Sequence, residues 1–252
     1  MRARDRVEIL GVFVDRVNLA GAAARVKGFV DESRAGGGSG GRLVVTPNPE
    51  MLHAARRDEE LARLINRADL AVPDGTGVVL ASRVLGAPLS DRVAGFDLLL
   101  ELFRLADEGH WRVFLLGTYP ETVAEAARRV ALDHPGLELV GFHDGYFSPG
   151  DVPALVEEIR AARPDLLVAA LGSPKQEKWL AEHLAATGAA VGIGVGGSLD
   201  VLAGRARRAP AAFRRLRLEW LYRLVREPRR ARRILGALPR FVWAVIIERF
   251  RQ

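Results

Sequence analysis

The chain has no cysteine among its 252 residues, which excludes a disulfide frame, thiolate metal sites and a cysteine nucleophile. Lysine is almost absent as well, confined to Lys27, Lys175 and Lys178, so nearly all the positive charge is arginine. Long apolar runs are missing: the longest near the C-terminus, FVWAVII from Phe241, has seven residues, against the roughly 20 needed to cross a bilayer. The opening MRARDRVEILGVFVDRV interrupts every apolar stretch with charge and has no small-residue cleavage site, which argues against a secretory signal and for an unprocessed, cytoplasmic protein. Neither an Asp-x-Asp after an apolar run nor a His/Asp cluster with ligand spacing occurs, and His53, His110, His134, His143 and His183 lie scattered. No metal and no cofactor are therefore expected.

What is present is enough hydrophobic residue, 49%, to bury one substantial core. The net charge of +6 conceals a division. Residues 205–251 hold fifteen Arg against Glu219, Glu227 and Glu248; removing these from the totals of 37 and 31 leaves 22 bases and 28 acids in residues 1–204. An acidic body of 1–204 thus carries a basic appendage of 205–252, and such a segment seeks phosphate on lipid, substrate or nucleic acid.

Short apolar runs alternate with stretches of helical spacing, the pattern of an α/β fold with a mostly parallel, Rossmann-like sheet. The runs predict strands over Val7–Val14, Leu43–Thr46, Leu70–Val72, Val113–Gly117, Leu137–Phe142, Leu166–Leu171 and Ala190–Gly194. Helices are expected over 18–33, 50–66, 76–85, 96–108, 120–132, 151–162 and 175–186, with Asn18 and Asp151 as N-caps and Pro120 in a first turn. The glycine-rich AGGGSGG at 35–41 lacks the Lys-Ser/Thr of a P-loop and precedes a strand, so it reads as a surface linker.

Ligands in open α/β sheets sit beyond the carboxyl ends of the strands. Four such exits carry polar residues: Thr46 and Asn48 in TPNPE, Asp74 in PDGTG, Ser173, Lys175 and Gln176 in GSPKQE, and Gly196, Gly197 and Asp200 in GGSLD. A helix start in GSPKQE can hold a phosphate or a sugar hydroxyl, and paired glycines allow close approach of a ligand. Each exit by itself is equally ordinary turn and capping chemistry.

Taken together, the phrases TPNPEML, ADLAVPDGTGVV, RVAGFDLL, FLLGTYPETV, GYF, LGSPKQEKWL, GVGGSLDVLAG and RAPAAFRRLRLEWLYRLVREPRRARR, in order from Thr46 to Arg233, resemble the WecG/TagA/CpsF glycosyltransferases. The resemblance implies inverting transfer of N-acetylmannosamine or its uronic acid from a UDP-sugar to an undecaprenyl-diphosphate-linked N-acetylglucosamine, without metal. It implies Asp74 as the base, Thr46, Asn48 and Gln176 as residues orienting the sugars, and Arg92 as a pocket arginine. Tyr146 would stack on uracil and Asp200 would bond the nucleoside, while Arg208, Arg215, Arg223 and Arg226 would neutralise the diphosphate. By residue type alone, Asp74 is a turn-forming Asp before Gly, Gln176 a solvent-facing first-turn residue, Tyr146 a core tyrosine and Arg92 a surface arginine. The resemblance also admits a homodimer.

The tail RRARRILGALPRFVWAVIIERFRQ sets arginines beside Trp243, Phe241 and Phe250. That composition suits an interfacial helix on anionic lipid at the inner membrane face; the alternative is an apolar stripe packed on the body or a second subunit. Two other classes fit less well. A dehydrogenase or simple nucleotide-binding module would need G-x-G-x-x-G in an N-terminal βαβ unit and an acid about 20 residues on, which GVGGSLD does not supply. A nucleic-acid binder sits poorly with an acidic body and a tail that mixes Arg with Trp and aliphatics.

Overall fold

The computed structural model describes residues 5–37, 40–210, 213, 221, 222 and 228–251. Leu10 and Gly11 both take positive φ, 54° and 81°, the requirement of a tight hairpin turn. The apolar run from Val7 to Val14 is therefore two antiparallel strands, β1 (Arg6–Ile9) and β2 (Val12–Asp15), with Arg6 opposite Asp15. It is not one strand of the main sheet.

That sheet has six parallel strands: β3 (Arg42–Val45), β4 (Leu70–Ala71), β5 (Arg112–Gly117), β6 (Glu138–His143), β7 (Leu166–Ala170) and β8 (Val191–Gly194). Their order is β4-β3-β8-β7-β5-β6. Central β7 and β8 are buried at every residue, as strands covered on both faces must be, whereas β6 at the edge is half-exposed. Register pairs Val45 with Ala71, Gly117 with Ala170 and Ala169 with Gly194. The carboxyl ends of these strands consequently open on one rim.

Helices cover both faces. Side chains alternate along β5: Val113 and Leu115 pack with α1 (Leu19–Arg34), α5 (Gly95–Gly109) and α6 (Pro120–Asp133), while Phe114 and Leu116 pack with α7 (Val152–Ala162) and α8 (Lys175–Thr187). A third cluster joins the hairpin, Val45 and Ala71 to α2 (Pro49–Ala55), α3 (Glu59–Arg67) and α4 (Thr76–Val84). The short α9 (Ser198–Leu202) follows β8.

Asn18 caps α1 by accepting from the Gly21 N–H at 2.8 Å, and Pro120 opens α6. Asp151 precedes α7 but does not cap it: its carboxylate accepts instead from the backbone N–H and hydroxyl of Ser148. The single helix expected over 50–66 is two, because Asp58 leaves the helix to cap α3, accepting from Leu61 N at 3.0 Å, and pairs with Lys178.

The last helix, α10 (Pro228–Arg251), lies against α2 and α4. Phe241 and Val245 enter the core cluster there, while Val242, Trp243 and Phe250 face outward. One stripe of this helix is packed on the body and another is left exposed. Among the described residues, no helix is long and apolar enough to cross a membrane.

Candidate active site

At the exit of β3, Thr46 is buried and its Oγ1 donates to the Gly194 carbonyl at the end of β8, 3.2 Å away. Asn48 accepts from Met51 N at 2.9 Å and so caps α2. The Pro47 carbonyl accepts the Asp74 N–H at 3.0 Å, and the Pro73 carbonyl accepts the Val93 N–H at 2.9 Å. These two bonds draw three separate loops together.

Gly95, the first residue of α5, sits in the angle between them. A Cβ there would lie 3.3 Å from Thr46 Cγ2 and 3.5 Å from Asp74 Oδ2, so the helix start lies close against both side chains, tightest against Thr46. Asp74 therefore points its carboxylate at the N-terminal end of α5 beside Thr46, half-buried. Gly95 stands within RVAGFDLL, and glycine as the first residue of a helix was the available signal. Arg92 lies on the same loop, half-buried, its backbone N–H donating to Asp91 Oδ1 at 2.8 Å.

On the other side of β8, Gln176 does not face solvent: it is 2% exposed. Its Oε1 accepts the Gly196 N–H at 2.9 Å and its Nε2 donates to Glu177 Oε1 at 2.7 Å. Gly194 admits the amide, since a Cβ there would fall 2.6 Å from Nε2. Burial pushes the Glu177 carboxyl above its ordinary range, against the opposing hydrogen bond from Gln176. Ser173 and Lys175 are exposed, with Lys175 Nζ 5.3 Å from the centre of the Phe147 ring.

A second group of residues gathers at β5, β6 and β7. Thr118, at φ 57°, donates from Oγ1 to Asp200 Oδ1 at 2.9 Å, and its backbone carbonyl accepts the Gly145 N–H at 2.9 Å. Tyr119 and Tyr146 stack at 4.9 Å between ring centres, both largely exposed. The hydrogen bond with the Tyr119 hydroxyl, together with neighbouring carboxylates, pushes the Tyr146 phenol up to about 12. A cleft of about 540 Å³ opens here, lined by Thr118, Tyr146, Phe147, Leu171 and Lys175 among others. Thr118, Tyr119 and Phe147 were not singled out from sequence, although each stands in or next to a strand-exit phrase. The stretch from Gly194, which accepts from Thr46, through the Gly196-Gly197 turn to Asp200 in α9, which accepts from Thr118, joins the two groups.

Arg208 is not held out toward solvent. It pairs with Asp97 in the first turn of α5 and its guanidinium lies 4.9 Å from the Phe96 ring centre. Its buried Nε has no hydrogen-bond partner among the described residues. Arg215, Arg223 and Arg226 lie outside the described residues.

A doubly covered parallel sheet with a carboxylate, a hydroxyl and a cleft gathered on its carboxyl rim is an α/β enzyme of the kind that binds its ligand across strand ends. The sequence profile of the glycosyl transferase WecG/TagA/CpsF family matches residues 7–252; the chain belongs to this family and is a glycosyltransferase. Three relatives share one name, N-acetylglucosaminyldiphosphoundecaprenol N-acetyl-beta-D-mannosaminyltransferase. The Bacillus spizizenii protein is 40% identical over 206 residues, covering 82% of this chain and 79% of its own. That of Staphylococcus aureus is 36% identical over 240 residues, 95% and 92% of the two chains. The Bacillus subtilis protein is 35% identical over 208 residues, 82% and 80%.

Proposed function

We propose that the protein transfers an N-acetylhexosamine, N-acetylmannosamine or its uronic acid, from a UDP donor to an N-acetylglucosamine carried on a polyprenyl diphosphate, with inversion at the anomeric carbon. The observation that carries this is the meeting of Asp74 and Thr46 at Gly95, on the same carboxyl rim of the sheet as the cleft at Thr118, Tyr146 and Lys175. The relatives' shared name supports the sugar and the acceptor.

In this reading the acceptor hydroxyl oxygen attacks the anomeric carbon while the bond to the diphosphate breaks, and UDP departs with the electron pair. Asp74 takes the hydroxyl proton, a task for a positioned carboxylate. Thr46 and Asn48 frame the sugars: Thr46 is held by Gly194, and Asn48 orients the start of α2 through its cap. Asp200, anchored on Thr118, receives the nucleoside, and the exposed Tyr119–Tyr146 pair offers uracil a stacking face. Arginine supplies charge for the diphosphate: Arg92 beside the Asp74 loop, Arg208 by exchange of Asp97 for substrate, and Arg215, Arg223 and Arg226 from the appendage, residues 205–252.

The lipid-linked acceptor places the reaction at a membrane. The outward stripe of α10, with Trp243 and Phe250 exposed among arginines, suits peripheral attachment to anionic lipid on the inner face.

The deciding experiment measures UDP release from a panel of UDP-sugars with a soluble diphospholipid-linked N-acetylglucosamine, in EDTA, for the wild type and Asp74→Ala. Acceptor-dependent release that collapses in the variant supports the proposal. A folded wild type that releases nothing, even with magnesium or manganese restored, overturns it in favour of a nucleotide-binding module.

A further inference from the structure

Glu177 is fully buried, on the same helix face as Leu180 and Leu184. A carboxyl group withdrawn from water is costly unless it is paired; the leading side-chain donor to this one is the Gln176 amide at 2.7 Å, the Ser173 hydroxyl and the Glu177 N–H also favour the carboxylate, and Oε2 has no partner in hydrogen-bond geometry among the described residues. Leucine or methionine would fill the position at lower cost. A buried polar group retained without full satisfaction calls for a function.

Its effect falls on Gln176. A carboxamide has a donor end and an acceptor end, and the Gly196 N–H needs the acceptor. By accepting from Nε2, Glu177 turns Oε1 toward Gly196. Gly196, at φ 54°, and Gly197 lead into α9, whose Asp200 accepts from Thr118, a residue lining the cleft. Two residues earlier the same chain segment is also held by Thr46, which donates to the Gly194 carbonyl from the exit of β3. The Gly194–Gly196 segment is thus clamped between the residue beside Asp74 and the Gln176 amide, and Glu177 fixes the second jaw.

Resting on the reading of the site given above, we infer that Glu177 is a positioning residue of the transfer reaction: acting through Gln176, it holds the Gly196-Gly197 turn and the start of α9, which carries Asp200, in the form that receives the UDP-sugar. It touches no reacting atom.

Four variants test this: Glu177→Leu, Glu177→Gln, Gln176→Ala and the double variant Gln176→Ala/Glu177→Leu. Two readouts are taken, kcat and KM for the UDP-sugar, and hydrogen exchange of the backbone amides of residues 194–200. Glu177→Leu is expected to raise the donor KM about tenfold, the scale of lost support behind a binding group, with a smaller change in kcat and faster exchange at Gly196. Glu177→Gln retains an oxygen acceptor and should recover most of both effects. The double variant should be no worse than Gln176→Ala, because residues acting through one contact are not additive.

If Glu177→Leu, folded by circular dichroism, leaves KM within twofold and Gly196 exchange unchanged, the inference is wrong. It is equally wrong if the two substitutions multiply, or if Glu177→Gln falls as far as Glu177→Leu. Should Leu not fold, Glu177→Met, which keeps length without an acceptor for the amide, takes its place. A wild type that releases no UDP defeats the assigned reaction, and the exchange data then still decide whether Glu177 holds the turn.

Discussion

Thr46 Oγ1 and the Gly194 carbonyl, 148 residues apart in the chain, meet at 3.2 Å. The bond joins the first and last strands of the parallel sheet, neighbours because β8 inserts between β3 and β7. Thr46 thereby presents its methyl side to Gly95 while its hydroxyl is spent on the scaffold. Replacing it by Val keeps the shape and strands a buried carbonyl, so Thr46→Val should lower unfolding stability by about 1–3 kcal/mol in urea titrations, and Thr46→Ser by less.

Asp74→Asn removes the proton acceptor without changing size. UDP release in the presence of acceptor should fall by roughly 10²–10⁴, the usual contribution of a general base, while the melting temperature stays close to that of the wild type. An Asn variant that turned over within tenfold of the wild type would place the base elsewhere.

Glu177 carries a pH signature. Burial raises its carboxyl in the folded protein above the unfolded value of 4.5, so the folded state holds the proton more tightly between the two, and stability falls as pH rises through that interval. Glu177→Gln lacks this loss. It should be more stable than the wild type at pH 8, and the difference should shrink toward zero below pH 4.5, as read from denaturant midpoints across the range.

The Tyr146 phenol, pushed up to about 12 with the Tyr119 hydrogen bond as the leading cause, remains neutral at any working pH. Ultraviolet titration of tyrosinate should show one late-ionising tyrosine, and Tyr119→Phe should bring it back toward 10. Tyr119→Ala, which removes the ring, should weaken UDP binding in calorimetry if the stacked pair receives the base, by about 1 kcal/mol for one aromatic contact, whereas Tyr119→Phe keeps the stacking face.

Trp243 and Phe250 are exposed on α10, so changing them to Ser costs little folding energy. Each loses apolar area worth roughly 1.5–3 kcal/mol if buried in lipid, and the pair should shift partitioning onto phosphatidylglycerol vesicles at least tenfold. Binding that survives both changes would move the contact away from this stripe.

The strands from β3 to β8 were legible because each apolar run ends where Gly, Pro or a polar residue begins. Two departures have local causes that periodicity does not weigh: the hairpin at Leu10-Gly11 needs two positive φ values, and Asp58 prefers capping one helix to continuing another. Asn48 and Thr46 could be named from TPNPE, yet their capping and cross-strand bonds could not. By its place in the first turn of a helix Gln176 could simply face solvent; the close approach of Gly194 and its bond to Gly196, which no local pattern shows, accompany its burial.

Sequence by itself determined the elements, the acidic body with its basic tail, and the polar residues at the strand exits, because hydrophobic period, charge and turn chemistry are properties of neighbouring residues. Tertiary structure alone decided which exits meet. Strand order brings β3 beside β8, Gly95 sets the start of α5 close against Thr46 and Asp74, and the loss of water around Glu177 turns an unremarked carboxyl into a support for the Gly196-Gly197 turn. Such relations depend on contacts between distant segments, and no local pattern encodes a distance across the fold.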